Sequence, residues 1–184
     1  MLLILAAILL GVALGLALKG RLRALSEIHL RWWPLALAGL ALQIVPVPTM
    51  EGSLDRWLGV GLLVASYLVL LAFVVLNISQ PGFALMGIGF ALNALVISLN
   101  GGMPVSREAL RVAAGPAYPL AVRHLVQEGG QKHHLRREDD VLTPLSDVIP
   151  AGPPVSQILS PGDVLALLGI TWFIAGAMRK KTDG

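Results

Sequence analysis

Apolar residues run almost without a break from position 2 to position 18, and four further apolar stretches follow, the last set apart by a polar segment of about sixty residues. Runs this long show neither the two-residue alternation of a half-buried strand nor one polar face of a surface helix, so length decides, and it favours helices that cross a lipid bilayer. The pattern predicts spans over about 2–18, 32–48, 57–76, 83–99 and 161–178, with residues 101–160 forming a loop or cap between the last two. The expected fold class is therefore all-α: a polytopic bundle of five transmembrane helices in a single membrane domain, 1–184.

Punctuation supports most of these boundaries. The first stretch has no basic segment before it and no small-x-small cleavage pattern, which reads as a retained helix rather than a signal peptide. Gly11 and Gly15 lie four apart in it, a spacing that lets another helix approach closely. The second opens with Trp32 and Trp33, residues typical of a membrane interface, and Pro34 suits a first helical turn; at about sixteen residues it is short for a hydrocarbon core of roughly 30 Å. The fourth ends at Asn100-Gly101-Gly102, which tolerate the left-handed geometry of a helix C-terminus. Before the fifth, Ser160 is an N-cap candidate, Pro161 suits the first helical position and Asp163 stands where a capping-box acid belongs.

The distribution of Lys and Arg orients the chain. Cytoplasmic flanks carry the basic excess. With the N-terminus outside, Lys19, Arg21, Arg23, Arg31, Arg179, Lys180 and Lys181 fall in the cytoplasm against Glu27 and Asp183, a net of +5, while the remaining seven basic and nine acidic residues fall outside. This predicts N-out, C-in, with the long loop extracytoplasmic. Within that loop, Ser106 followed by Glu108, Leu110 and Val112 predicts a short helix, and residues 118–128 a second, both at the membrane surface or folded over the bundle. Residues 141–150 carry enough apolar groups to require cover.

Composition narrows the function classes. Hydrophobic residues make up 55% of the chain and charged ones 14%, with a mean hydropathy of +0.75, too apolar for the surface of a soluble domain. The absence of cysteine excludes disulfides, thiolate nucleophiles and Cys-type metal sites. The net charge of +3 is explained by membrane orientation, so no nucleic-acid partner is expected, and no motif names a cofactor. The expected partners are the lipid bilayer and, beyond it, a membrane protein or a second copy of the chain.

Candidate chemistry is sparse. His133 and His134, with His124 upstream and Asp140 downstream, form the one conventional acid–base or metal constellation. Adjacent side chains point apart in a strand and diverge in a helix, which argues against both imidazoles holding one ion, and the plainer reading is a solvated mixed-charge turn. Inside the apolar stretches, Asn93 and Asn100 lie seven apart on one helical face, with Gln43 and Thr171 as expected hydrogen-bond partners; they mark either interhelical bonds or a polar path along the fourth helix.

The run Asn100-Gly101-Gly102-Met103-Pro104-Val105-Ser106, the later Asp147-Val148-Ile149-Pro150, and Ser160-Pro161-Gly162-Asp163 together resemble a family of small bacterial integral membrane proteins catalogued as a domain of unknown function. The resemblance covers most of the chain. It implies a bacterial plasma-membrane protein of one domain, and brings no activity, substrate or site residue with it. All three motifs sit at the outer ends of the last two spans or between them, which predicts a cap that forms, with Asn93, Asn100 and Asp147, a pocket for a lipid or other small molecule. The competing expectations are an accessory subunit docked through the cap, a small transporter, and an enzyme acting on lipid-linked substrates through His133, His134 or Asp140.

Overall fold

The computed structural model describes residues 2–45, 54–127 and 132–179, with side chains at all of these except 54–56, 124 and 127. Five apolar helices account for most of it: α1 (Leu2–Ala17), α2 (Pro34–Ile44), α3 (Leu54–Leu76), α4 (Phe83–Asn100) and α7 (Pro161–Ala177). Two stretches, Trp57–Leu76 within α3 and Phe83–Asn100, are long and apolar enough to cross a membrane; α1 and α7 have 16 and 17 residues, and α2 only 11. At 1.5 Å per residue α2 is about 16 Å long, well short of a hydrocarbon core. The expected stretch 32–48 is thus corrected at both ends: Trp32 and Trp33 lie in the turn before the helix, the helix stops at Ile44, and Pro46 and Pro48 lie outside the described residues.

The helices stand in a row, not in a closed bundle. α2 packs on α3, α3 on α4, α4 on α7 and α7 on α1, leaving α2 and α1 at the two ends. Neighbouring pairs run antiparallel except the last: Ala7, Gly11 and Gly15 meet Thr171, Ile174 and Met178 in the same order, so α1 and α7 run parallel.

Glycines set the closeness of the row. A Cβ placed on Gly11 would lie 2.9 Å from Ile174 Cβ and from the Thr171 carbonyl, and one on Gly15 would strike the Met178 side chain. The Gly11 and Gly15 pair is where α7 seats. Between α4 and α7, a Cβ on Gly82 would collide with the Gly169 carbonyl and one on Gly89 with the Gly162 carbonyl. Such backbone-to-backbone approach is the packing that apolar helices use where neither water nor large side chains force them together. Across the middle of the row Phe73, Phe83 and Phe173 of α3, α4 and α7 meet in tilted and edge-to-face contacts, with centroids 5.5 and 5.2 Å apart.

Between α4 and α7 the chain builds the cap, where the all-α expectation fails. It contains the two short helices read from the sequence, α5 (Arg107–Ala114), capped by Ser106 Oγ accepting from the Ala109 N–H, and α6 (Tyr118–Gln127). It also contains four three-residue strands, β1 (Met103–Val105), β2 (His133–Leu135), β3 (Ile149–Ala151) and β4 (Gln157–Leu159). β1 pairs in parallel with β2, and β3 pairs antiparallel with β4. On its other edge β1 binds the Asp147 segment, through Asp147 N–H to the Pro104 carbonyl and Ser106 N–H to the Asp147 carbonyl. Three residues are too few to show a period of two, and Pro104 and Pro150 argue locally against strands, so the sequence pattern hid them.

The cap is anchored into the row. Met103 is buried against Val60, Leu63, Tyr67, Val96 and Ile97 of α3 and α4. Lys132 Nζ donates to the Gln43 and Val45 carbonyls at 2.7 and 3.0 Å, placing a cation at the C-terminus of α2, where the helix dipole favours it.

Candidate functional site

Strand alternation separates the two histidines. In β2, His134 turns to one face and His133 to the other, and each meets its own aspartate. His134 is buried; its Nε2 lies 2.9 Å from Asp140 Oδ1, while Asp140 Oδ2 accepts the Arg137 N–H at 2.7 Å. Burial pulls the Asp140 carboxyl up, but the Arg137 N–H and the His134 bond outweigh it and hold the group below its ordinary value. The segment expected to be a solvated turn is therefore pinned by a buried pair whose oxygens are already engaged. This pair borders a cleft of about 1020 Å³ that is lined also by Arg107, Glu108, Arg136 and Thr143.

His133 faces the opposite way, into a smaller pocket of about 410 Å³. Val105 and Asp147 line it with Leu110 and Ala113 of α5, Ala117 of the turn after it, Ala121 and Leu125 of α6, and Ser156 and Ile158 at β4. His133 Nε2 and Asp147 Oδ2 stand 3.9 Å apart, beyond hydrogen-bonding distance, and neither side chain has a hydrogen-bond partner among the described residues. The His133 side chain keeps 43% of its surface because it lines the pocket, whereas that of Asp147 keeps 11%. Desolvation lowers the His133 pKa, an effect that Asp163 opposes and Lys132 reinforces. Desolvation, reinforced by Asp163, raises that of Asp147 well above a normal carboxyl. The pocket thus favours a neutral imidazole and a neutral carboxylic acid side by side, in walls that apart from Ser156 are alanine, leucine, valine and isoleucine.

The asparagines go elsewhere. Asn93 is buried at the junction of α3, α4 and α7, where its Nδ2 donates to Asp163 Oδ1 at 2.8 Å and to Tyr67 Oη at 3.2 Å, and its Oδ1 accepts from Ser160 Oγ at 2.8 Å. Ser160 and Asp163 form the capping box expected at the start of α7, so a helix cap and an interhelical bond share the same atoms. Asn100 extends from the end of α4 to the main chain of Val141, accepting its N–H at 2.7 Å and donating to its carbonyl at 3.0 Å. The partners expected of Gln43 and Thr171 are corrected: Gln43 offers its carbonyl to Lys132, and Thr171 Oγ1 bonds the Ala7 and Leu167 carbonyls. His124 lies on α6 and its side chain falls outside the described residues. Among the described residues no group of three or more His, Asp or Glu is arranged to hold a metal.

Of the sequence candidates, then, the fold brings His133 and Asp147 to one pocket, His134 and Asp140 to another face, and places Asn93 and Asn100 in structural bonds. Tyr67 as a partner of Asn93 was missed, although it stands among the few polar groups in the middle of its apolar stretch.

Comparison with known proteins gives a family. A family of unknown function, DUF5317, matches residues 27–175. The chain belongs to the DUF5317 family. An uncharacterized protein of Thermotoga maritima is 32% identical over 121 residues, which are 64% of this chain. The DUF5317 chain spans 65% of that relative's length. No solved structure matches it.

Proposed function

We propose that this protein is a bacterial plasma-membrane protein of five spans, N-terminus outside and C-terminus in the cytoplasm, whose extracytoplasmic cap binds a lipid or similar apolar small molecule. The pocket beneath α5 and α6 carries this reading. Its 410 Å³ falls in the range of small-molecule sites, its walls are mostly apolar, and of its three polar side chains His133 and Asp147 converge with no hydrogen-bond partner among the described residues, Ser156 being the third. Val112, Leu120 and Val126 of the same two helices are left exposed, which suits a cap lying against lipid, from which an apolar ligand enters.

Helix directions support the topology. α1 runs parallel to α7, and the helices between them alternate, as five successive crossings require. Trp32 and Trp33 at the start of α2 and Trp57 near the start of its antiparallel neighbour α3 are all exposed, near opposite ends of that helix pair, where interfacial belts belong. α1 and α7, with 16 and 17 residues, come near the hydrocarbon thickness and cross nearly upright in this reading. Native mass spectrometry of protein released gently from its own membrane tests the function: a retained small mass supports a ligand-binding cap, and a bare monomer counts against it.

One observation favours a second reading. Because the row is open, α1 and α2 each pack extensively on one long helix among the described residues. An accessory subunit would complete the row with a partner at one of those edges, and the same experiment would then retain a protein mass.

A further inference from the structure

We infer that the cap pocket takes the hydroxyl group of a long-chain alcohol between His133 Nε2 and Asp147 Oδ2, with the hydrocarbon chain laid along the alanine face of α5 and α6. The inference rests on the pocket reading above and specifies its ligand.

Geometry supplies the first argument. An oxygen placed at a normal hydrogen-bond length of about 2.8 Å from each of two atoms 3.9 Å apart has those atoms roughly 90° apart, a workable angle for one hydroxyl. The pair is thus spaced for a single bridging atom. A hydroxyl is also the group that donates and accepts at once, as an imidazole nitrogen and a carboxylic acid jointly require. An ether oxygen only accepts, and an ammonium only donates. Asp147 is 8% exposed and has no hydrogen-bond partner among the described residues, so a bridging ligand would satisfy a largely buried polar group.

Charge supplies the second argument. An anionic head would meet Asp147 and, behind it, Asp163, whose field reaches both pocket residues. The nearby cations are engaged: Lys132 is directed at the α2 carbonyls, and the Arg111 guanidinium sits 5.5 Å over the Tyr118 ring. An ammonium head can donate to the imidazole, but it cannot accept the O–H of a carboxylic acid at Asp147, which a hydroxyl can.

Size supplies the third. At roughly 30 Å³ per heavy atom, the share of one water in the liquid, the pocket of 410 Å³ holds about fourteen such atoms. That is one medium-length chain rather than a two-chain lipid. Ala113, Ala114, Ala117 and Ala121 give the wall small side chains along which a flexible chain lies.

The test is photo-crosslinking in nanodiscs of native lipid with diazirine-bearing dodecanol, with unlabelled dodecanol, its methyl ether and dodecylamine as competitors. The expected result is labelling of the α5 or α6 peptides, with dodecanol competing at least tenfold better than the ether or the amine. His133→Phe removes that preference, and Asp147→Asn, which keeps shape and a donor, weakens it while the protein stays folded. Ile158→Trp fills the pocket and removes labelling by every probe. Equal competition by alcohol and ether, with labelling still lost in Ile158→Trp, overturns the hydroxyl assignment and leaves the pocket reading standing, as does stronger competition by the amine. Labelling that is absent from these peptides, or unchanged in Ile158→Trp, overturns both.

Discussion

Two asparagines at the C-termini of the antiparallel neighbours α3 and α4 do the same work at opposite ends of that pair. Asn77, just past α3, accepts the Arg31 N–H and donates to the Arg31 carbonyl, at 2.8 and 2.9 Å, and Asn100 does likewise for Val141. Each amide imitates one rung of a sheet and ties a remote loop to a helix end. Asn100→Ala should cost about 1–3 kcal/mol of local stability, since it leaves Val141 short of two partners; faster proteolysis within residues 136–145, with the helices still protected, is the expected reading. The pocket pair makes a different prediction, because its pKa shifts oppose folding. The Asp147 pKa is raised in the folded protein, so the unfolded chain ionises first and stability falls as pH rises above the ordinary carboxyl value. Asp147→Asn should therefore raise the melting temperature at neutral pH and flatten that pH dependence, while weakening ligand binding. For His133 the shift is downward from 6.5, so the unfolded chain takes up a proton that the folded one refuses, and stability falls as pH drops below about 6.5. His133→Gln should remove that loss, as thermal scans between pH 5 and 8 would show. A residue that folds at such cost is more readily explained by what it binds than by what it holds up.

At the scale of elements, the seam between α4 and α7 is the tightest contact. A Cβ on Gly162 would meet Asn93 Oδ1 and the Gly89 carbonyl at once. Gly162→Ala should destabilise the protein by about 1–3 kcal/mol through overpacking, measured as a lower unfolding temperature in mild detergent, whereas Gly61→Ala, with open space around it, should not. Element ends were largely legible in the sequence, because capping is local chemistry. Ser160 with Asp163, Ser106 before α5, and Asn100-Gly101-Gly102 after α4 all mark their boundaries. The spacing of Gly11 and Gly15 was also a true guide, since a four-residue interval fixes a helical face whatever the partner. Pairing was not legible. Nothing near His133 says that its neighbour will be Asp147 rather than Asp140, because that choice is made by the parallel register of β1 with β2 and by the Asp147 bridge on the far edge of β1. The stop of α2 at Ile44 was equally hidden, for the apolar pattern runs on through Val45 and into Pro46.

At the scale of the molecule, the chain threads up and down while its helices pack out of sequence order, as α2, α3, α4, α7 and α1. The proposed topology predicts that a cysteine at position 133 or 138 reacts with an impermeant reagent applied from outside, while one at Ser26 reacts only after the membrane is opened. The reverse pattern would invert the orientation, and reactivity of both from outside would remove α2 as a crossing.

The parallel docking of α1 on α7 also constrains how the protein is made. α1 emerges from the ribosome first, yet its packing surface, Ala7, Gly11 and Gly15, fits Thr171, Ile174 and Met178, which emerge last. Until α7 is made the first helix lacks this partner, and a chain stalled before residue 160 would present its glycine face to whatever helix or chaperone lies beside it. Assembly closes from the end of the chain back to its beginning, so loss of the last seventeen-residue helix undocks the first.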